Sequence, residues 1–151
     1  MVDIVKYCSM DEGEKTEFLA GLSEEEFEVF SDELFEISKV FRDAIEVCDK
    51  IEKRLKKDEL FVVILWRKIK PAAKAKADAE MNSLRTKMDS IIKNERFPVC
   101  EEIFNLGMKI TEKGFPYVND PSFPCFAVKN AFISINIKVL LNERKKRNNQ
   151  N

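Results

Sequence analysis

The stretch Ser23–Leu55, SEEEFEVFSDELFEISKVFRDAIEVCDKIEKRL, decides the fold of this chain. Its apolar residues recur at intervals of three and four without a break, as an α-helix that buries one side requires. Ser23 and Glu26 have the spacing of a capping box, which predicts the start of the helix. The recurring residues are Phe27, Phe30, Leu34, Ile37, Phe41, Ala44, Cys48, Ile51 and Leu55.

Other apolar residues, such as Val29 and Phe35, widen this stripe beyond a coiled-coil seam, so we expect the helix to lie across a globular core. The 151 residues include only four Gly and five Pro, too few for an all-β chain with many tight turns. We therefore predict an all-α fold, a helical bundle of about five or six helices organised on one long helix over about 23–57. Residues 1–141 are predicted to form a single helical domain, and 142–151 a basic, disordered tail.

The run Leu60–Trp66 is ambiguous between a helix and a strand. Its composition is that of a buried strand, but Val62, Leu65 and Ile69 continue the helical spacing of the preceding stretch. This spacing favours a helix, and the nearly uniform apolar character predicts that the helix is buried on almost all sides. Pro71 should then break or kink it.

Residues 133–141 raise the same question, because isoleucine, valine and leucine alternate there as in a strand. A three-and-four spacing that begins at Cys125 runs through Ile135 and Val139, and it favours a helix. Residues 1–8 are predicted to be extended or frayed. The segment Phe115–Pro124 contains three of the five prolines and is predicted to be a loop.

Composition also argues against several classes of function. The N-terminus lacks the basic and apolar regions of a signal peptide, and the longest apolar run, Leu60–Trp66, is far too short to span a membrane. We therefore expect a cytoplasmic protein with no membrane partner. The four cysteines are scattered and expected to be reduced. Since the chain has no CxxC pair and no histidine, we predict no metal site and no cofactor, and the prior for catalysis is low.

Charge is distributed unevenly along the chain. Residues 1–36 hold twelve acids and two bases, a net charge of −10, whereas residues 37–151 hold fifteen acids and twenty-four bases, a net charge of +9. Such asymmetry indicates either a basic surface for an acidic partner or two parts of one fold that attract each other.

An acidic pattern gives the most specific motif. Glu24, Glu25 and Glu28 fit E-E-x-x-E, and Glu46 and Asp49 fit E-x-x-D. Together they resemble the signature of all-α MazG-type nucleotide pyrophosphohydrolases. The resemblance implies that these carboxylates hold Mg²⁺ against the phosphates of a nucleoside triphosphate. The family places the two halves on two helices, whereas the apolar spacing here is continuous between them, so a solvated acidic face is the alternative interpretation.

Basic residues form two clusters that could contact the phosphates of a nucleic acid. One surrounds Pro71, beside Trp66, and the other lies in the C-terminal tail. The candidate residues are Arg67, Lys68, Lys70, Lys74 and Lys76 in the first cluster and Arg144, Lys145, Lys146 and Arg147 in the second. The alternative interpretation is that these are lysines and arginines solvated at helix ends.

The sequence thus favours a small non-enzymatic helical protein that binds another macromolecule, as a regulatory or viral factor does. Twelve phenylalanines and a wide apolar stripe suggest surface that a protein partner or a second copy would cover, although an ordinary monomeric core explains them as well. A nucleic-acid-binding protein is the first alternative, and a MazG-like Mg²⁺-dependent hydrolase is the second.

Overall fold

The computed structural model describes residues 3–58, 60–114 and 123–150, with residues 61, 110–114 and 123–127 described as helical backbone alone. Over these ranges the chain forms eight α-helices and no strand, which confirms the all-α prediction. The helices are α1 Ile4–Cys8, α2 Glu12–Ala20, α3 Glu24–Asp58, α4 Phe61–Ile69, α5 Pro71–Ile92, α6 Phe97–Gly114, α7 Phe123–Ile135 and α8 Ile137–Gln150. The predicted loop 115–124 lies mostly outside the described residues, and its last two residues begin α7.

Helix α3 is the long helix that the apolar spacing predicts. It runs for 35 residues without a break, about 52 Å at the standard rise. The capping box at its start is confirmed: the Ser23 hydroxyl accepts from the Glu26 amide at 3.2 Å, and the Glu26 carboxylate accepts from the Ser23 amide at 2.9 Å. Leu34 and Ile37 on its apolar side are fully buried.

The main core surrounds the first half of α3. Helices α1, α2, α6, α7 and α8 contribute buried side chains to it, including Leu19, Ile103, Ile135 and Leu140, all with no exposed surface. The C-terminal half of α3 packs instead against α5, where Ala77 and Leu84 are buried. Helix α4 packs mainly on α5 and the end of α3, so it lies away from the main core.

The prediction that residues 1–8 are extended or frayed is wrong over residues 4–8, because Ile4–Cys8 forms α1. The Asp3 carboxylate caps this helix by accepting from the amides of Val5 at 3.0 Å and Lys6 at 3.3 Å. The helix is only five residues long, so its stability comes from tertiary packing rather than from local propensity. Its Tyr7 ring is fully buried against the rings of Phe18 and Phe30.

The prediction that residues 142–151 form a disordered tail is also wrong, since α8 continues to Gln150. The helix preference at 133–141 is confirmed, but the segment is two helices separated at Asn136, whose φ of 50° is left-handed. Asparagine tolerates this conformation better than most residues, which explains a break without Gly or Pro. The break redirects the chain so that α8 packs against α2.

Alkaline pH should destabilise the protein through two buried thiols. Burial raises the pKa of Cys8 to about 12 and that of Cys100 to about 11, from an ordinary value of 9.0. The unfolded state therefore loses these protons first, so their contribution is complete below pH 9 and is lost as the pH rises toward 12. Burial lowers the pKa of Lys15, which opposes this trend, and raises the pKa of Tyr7, which adds to it. Between pH 8 and pH 10.5, we expect Cys8 alone to cost about 2 kcal/mol.

Urea denaturation at the two pH values measures this loss. Cys8→Ala should be less stable than the natural chain at pH 8, yet its stability should change less between pH 8 and pH 10.5. Equal changes in the two proteins would show that the Cys8 thiol does not control alkaline stability.

Candidate functional site

Helix α4 is short because a residue in an extended conformation flanks it on each side. Leu60 is extended at its start, with ψ of 126°, and Lys70 is extended at its end, with ψ of 96°. The conformation of Lys70 is the one that a residue before proline prefers, and Pro71 then begins α5. The nine residues of α4 therefore form a separate rod, about 13 Å long, between two bends in the backbone.

One side of this rod is apolar and exposed to solvent. Four of its residues follow the i, i+3, i+4, i+7 spacing that places side chains on one helix face. Their exposed fractions are 76% for Val62, 42% for Leu65, 51% for Trp66 and 73% for Ile69. We call these four residues the α4 face. Leu60 and Ile64 beside them are also exposed, so the apolar patch extends beyond a single row.

The prediction that α4 is a helix is confirmed, but the prediction that it is buried on nearly all sides is wrong. Only Val63 and Arg67 are partly buried among its described side chains. The reason is position: α4 has α5 and the end of α3 as its main neighbours, and neither covers the α4 face. Large apolar residues grouped on a surface in this way are typical of an interaction site.

An ion pair joins α4 to the end of α3, and a second pair joins α3 to α5. The Arg67 guanidinium contacts the Asp58 carboxylate at 2.5 Å, which joins α4 to α3. Arg54 contacts Glu80 at 2.6 Å, which joins α3 to α5. These pairs are partly buried and are therefore screened less than exposed pairs. The Arg67–Asp58 pair restrains the direction in which the α4 face points.

The α4 face has a basic border. Residues 60–77 contain five bases and no acid. The Lys70 ammonium lies 4.4 Å from the centre of the Trp66 ring, a cation–π contact that restrains the indole. Lys68, Lys74 and Lys76 are exposed around it. Of the first basic cluster, only Arg67 is drawn into an intramolecular ion pair that the structure records.

A second surface of opposite charge lies at the other end of α3. Residues 24–36 contain seven acids and no base. Part of this segment, with α1 and Arg96, forms an open groove of about 760 Å³ that we call the acidic groove. Val29, with 63% of its surface exposed, lies among the acids. The lining residues are Ile4, Glu25, Glu26, Val29, Phe30, Asp32, Glu33, Glu36 and Arg96.

The acidic motif does not form one site within the chain. Glu28 and Glu46 lie on the same unbroken helix, about 27 Å apart at the standard rise, and cannot share a metal ion. Several of its carboxylates are used elsewhere. Glu24 contacts Arg147 at 3.1 Å, Glu46 contacts Lys50 at 3.0 Å, and Asp49 contacts Lys129 at 3.2 Å.

The Lys50 ammonium lowers the pKa of Glu46, as a surface ion pair does. Glu25 and Glu28 are exposed, and Glu25 belongs to the acidic groove. Within the described ranges, acids and cysteines nowhere gather in a group of three or more that could hold a metal ion.

The two arginines of the tail cluster are structural. Arg147 donates to the carbonyl oxygens of Leu19 at 2.8 Å and Leu22 at 2.7 Å. The Arg144 guanidinium lies 4.8 Å from the centre of the Phe35 ring. Lys145 and Lys146 remain exposed. The tail therefore offers two lysines at its surface, rather than four basic side chains.

Sequence reasoning missed both the α4 face and the acidic groove. Part of the signal for the α4 face was present, because the charges within and after the apolar run, from Arg67 to Lys76, are all basic. The acidic groove had a weaker signal, which was the presence of Val29 among the seven acids of residues 24–36. No spacing argument shows that Ile4 and Arg96 come to lie beside that valine.

No family model matches the chain, and the comparisons with curated proteins and with solved structures give no significant match. Among the described helices, none combines the length and the apolar character needed to cross a membrane.

Proposed function

We propose that this chain is a small non-enzymatic helical protein that binds a protein partner through the α4 face. One observation carries the proposal: Val62, Trp66 and Ile69 expose more than half of their surface on one side of a helix that an ion pair joins to α3. Covering such a surface would contribute about 25 cal/mol per Å² of apolar area.

The residue types support a protein rather than a nucleic acid as partner. Tryptophan surrounded by aliphatic residues and bordered by charge is typical of protein interfaces, whose centres are apolar and whose rims are polar. Binding to phosphates needs exposed arginines and lysines, and Arg67, Arg144 and Arg147 are engaged within the fold. Nucleic-acid binding through Lys68, Lys74 and Lys76 is thus the weaker alternative.

Affinity capture with variants of the α4 face tests the proposal. We expect Trp66→Ala to weaken partner binding by roughly 30-fold or more, because central tryptophans commonly contribute 2 kcal/mol or more to an interface. Ile69→Ser should act in the same direction with a smaller effect. The matched control is Ile133→Ser on α7, since Ile133 is 68% exposed and lies outside the α4 face.

Capture should be performed from source cells with and without nuclease. Proteins that the natural chain and Ile133→Ser retain, but that Trp66→Ala and Ile69→Ser lose, would support the proposal. If nuclease removes all captured material, or if binding falls steeply with salt and only nucleic acid is retained, the nucleic-acid alternative replaces it. Equal retention by all four proteins would show that the α4 face is not the docking surface.

A further inference from the structure

We infer that the α4 face of one chain docks into the acidic groove of a second copy, so that copies associate head to tail. This inference rests on the proposed function, because it takes the α4 face to be a protein-docking surface. It goes further by naming the partner and the surface on that partner. Three properties of the described residues support it: charge, dimensions and the distance between the two surfaces.

The charges of the two surfaces are complementary. Residues 60–77 contain five bases and no acid, and residues 24–36 contain seven acids and no base. Arg67 is paired with Asp58 within the fold. Glu24 is paired with Arg147, and Glu33 with Arg96, so four lysines and five acids lie outside these pairs. Both surfaces have apolar residues between their charges, which are the α4 face on one side and Ile4 and Val29 on the other. Docking would place apolar residues against apolar residues and lysines beside carboxylates, which favours correct orientation and fast association.

The dimensions also agree. Helix α4 has nine residues and a length of about 13 Å. The acidic groove follows α3 from Glu25 to Glu36, about 16 Å at the same rise. A single helix of this length can therefore lie along the groove. Val62 and Ile69, seven residues and about two helical turns apart, would both fall within it.

The α4 face cannot reach the acidic groove of its own chain. Arg67 ties α4 to Asp58 at the end of α3. Asp58 is 22 residues from Glu36, the nearest groove residue on α3, and this corresponds to about 33 Å along a continuous helix. The short rod of α4 does not span that distance, so the groove can receive α4 only from another molecule.

This contact joins two different surfaces and is therefore heterologous. A heterologous contact generates a ring if the rotation between copies closes, and an open chain if it does not. The interface of one short helix is small, so we expect dissociation constants in the micromolar range, roughly 1–100 µM. Because charges border it, association should weaken as salt is added.

The test uses two charge-reversed variants of the full chain. In the first, Lys68→Glu with Lys74→Glu lowers the net charge of residues 60–77 from +5 to +1. In the second, Asp32→Lys with Glu36→Lys changes the net charge of residues 24–36 from −7 to −3. Their controls carry the same charge changes at exposed positions outside both surfaces, Lys145→Glu with Lys146→Glu and Glu101→Lys with Glu102→Lys. Circular dichroism establishes that each variant is folded, and analytical ultracentrifugation at 50 mM and 500 mM salt measures mass.

The natural chain and both controls should form dimers and larger species at low salt and dissociate at high salt. Each charge-reversed variant alone should be monomeric, because its substituted surface no longer binds the complementary surface of another copy. An equal mixture of the two should associate, since the intact α4 face of one occupies the intact groove of the other. The two substituted surfaces then carry opposite charges at the exchanged positions, so the mixture can also form species larger than a dimer.

A monomeric natural chain at 200 µM and low salt would overturn the inference, as would a mixture that remains monomeric. Flotation with vesicles of anionic phospholipid forms a separate arm. If the natural chain binds vesicles but stays monomeric in their absence, the α4 face and its basic border bind a membrane. That result would also overturn the inference. Failure here is distinguishable from failure of the proposed function: a monomer whose captured partners are lost in Trp66→Ala still binds another protein through the α4 face.

Discussion

Replacing Arg147 with alanine is expected to lower the free energy of unfolding by about 3–5 kcal/mol, roughly 10 °C in melting temperature. The guanidinium is only 10% exposed and contacts Glu143 at 3.0 Å, whose side chain is 9% exposed. It also lies 4.4 Å from the centre of the Phe27 ring. The substitution leaves a nearly buried carboxylate without its cation and removes a donor to the carbonyls of Leu19 and Leu22, which is why the loss is large.

Thermal and urea denaturation measure this effect. Lys146→Ala is the matched control, since the neighbouring Lys146 is exposed on the same helix and should change stability by no more than about 0.5 kcal/mol. The double variant Glu143→Gln with Arg147→Ala should be more stable than Arg147→Ala alone, because it removes the buried unpaired charge. If Arg147→Ala melts within 2 °C of the natural chain, α8 is not held by this residue.

Replacing Phe30 with alanine is expected to cost about 3–5 kcal/mol as well, but through packing rather than charge. The ring is 5% exposed and contacts two others, with centroid distances of 4.9 Å to Tyr7 and 5.5 Å to Phe18. These contacts join α1 and α2 to α3, and edge-to-face ring pairs add to the area that they bury. Chemical denaturation of Phe30→Ala and of the milder Phe30→Leu measures the loss.

Tyr7→Phe provides a contrasting test of the same cluster. The Tyr7 hydroxyl is buried and has no hydrogen-bond partner among the described residues, and burial raises its pKa above the ordinary value. Removing an unsatisfied buried hydroxyl should leave stability unchanged or raise it by about 1 kcal/mol. A loss of 2 kcal/mol or more would mean that the hydroxyl is hydrogen-bonded in the folded protein.

Local sequence patterns predicted a helix or its end correctly where the residues that cause it are close together in the sequence. The capping box at Ser23, the unbroken period of α3 and the effect of Pro71 each depend on residues within one or two turns. The failures had distant causes. Helix α1 depends on the burial of Tyr7, and α8 depends on Arg147 reaching carbonyls more than a hundred residues away in sequence.

The candidate surfaces show the same division. The sequence supplied the apolar spacing of the α4 face and the basic residues around it, but predicted that this face would be buried. Whether an apolar helix face is covered depends on which other helices reach it, and no local pattern contains that information. The sequence likewise predicted Arg67 as a candidate for nucleic-acid binding, whereas in the structure its guanidinium is paired with Asp58.

By itself, the sequence determined that this protein is helical, that one long helix organises it, and that its charge is divided between an acidic and a basic part. Periodicity and capping act over a few residues, so they can be recognised in the chain alone. Only the tertiary structure decided which apolar residues are covered and which charges are paired. It also decided that the α4 face, with its basic border, and the acidic groove lie at opposite ends of α3. Those outcomes depend on packing between segments distant in sequence, which fixes burial and neighbours together.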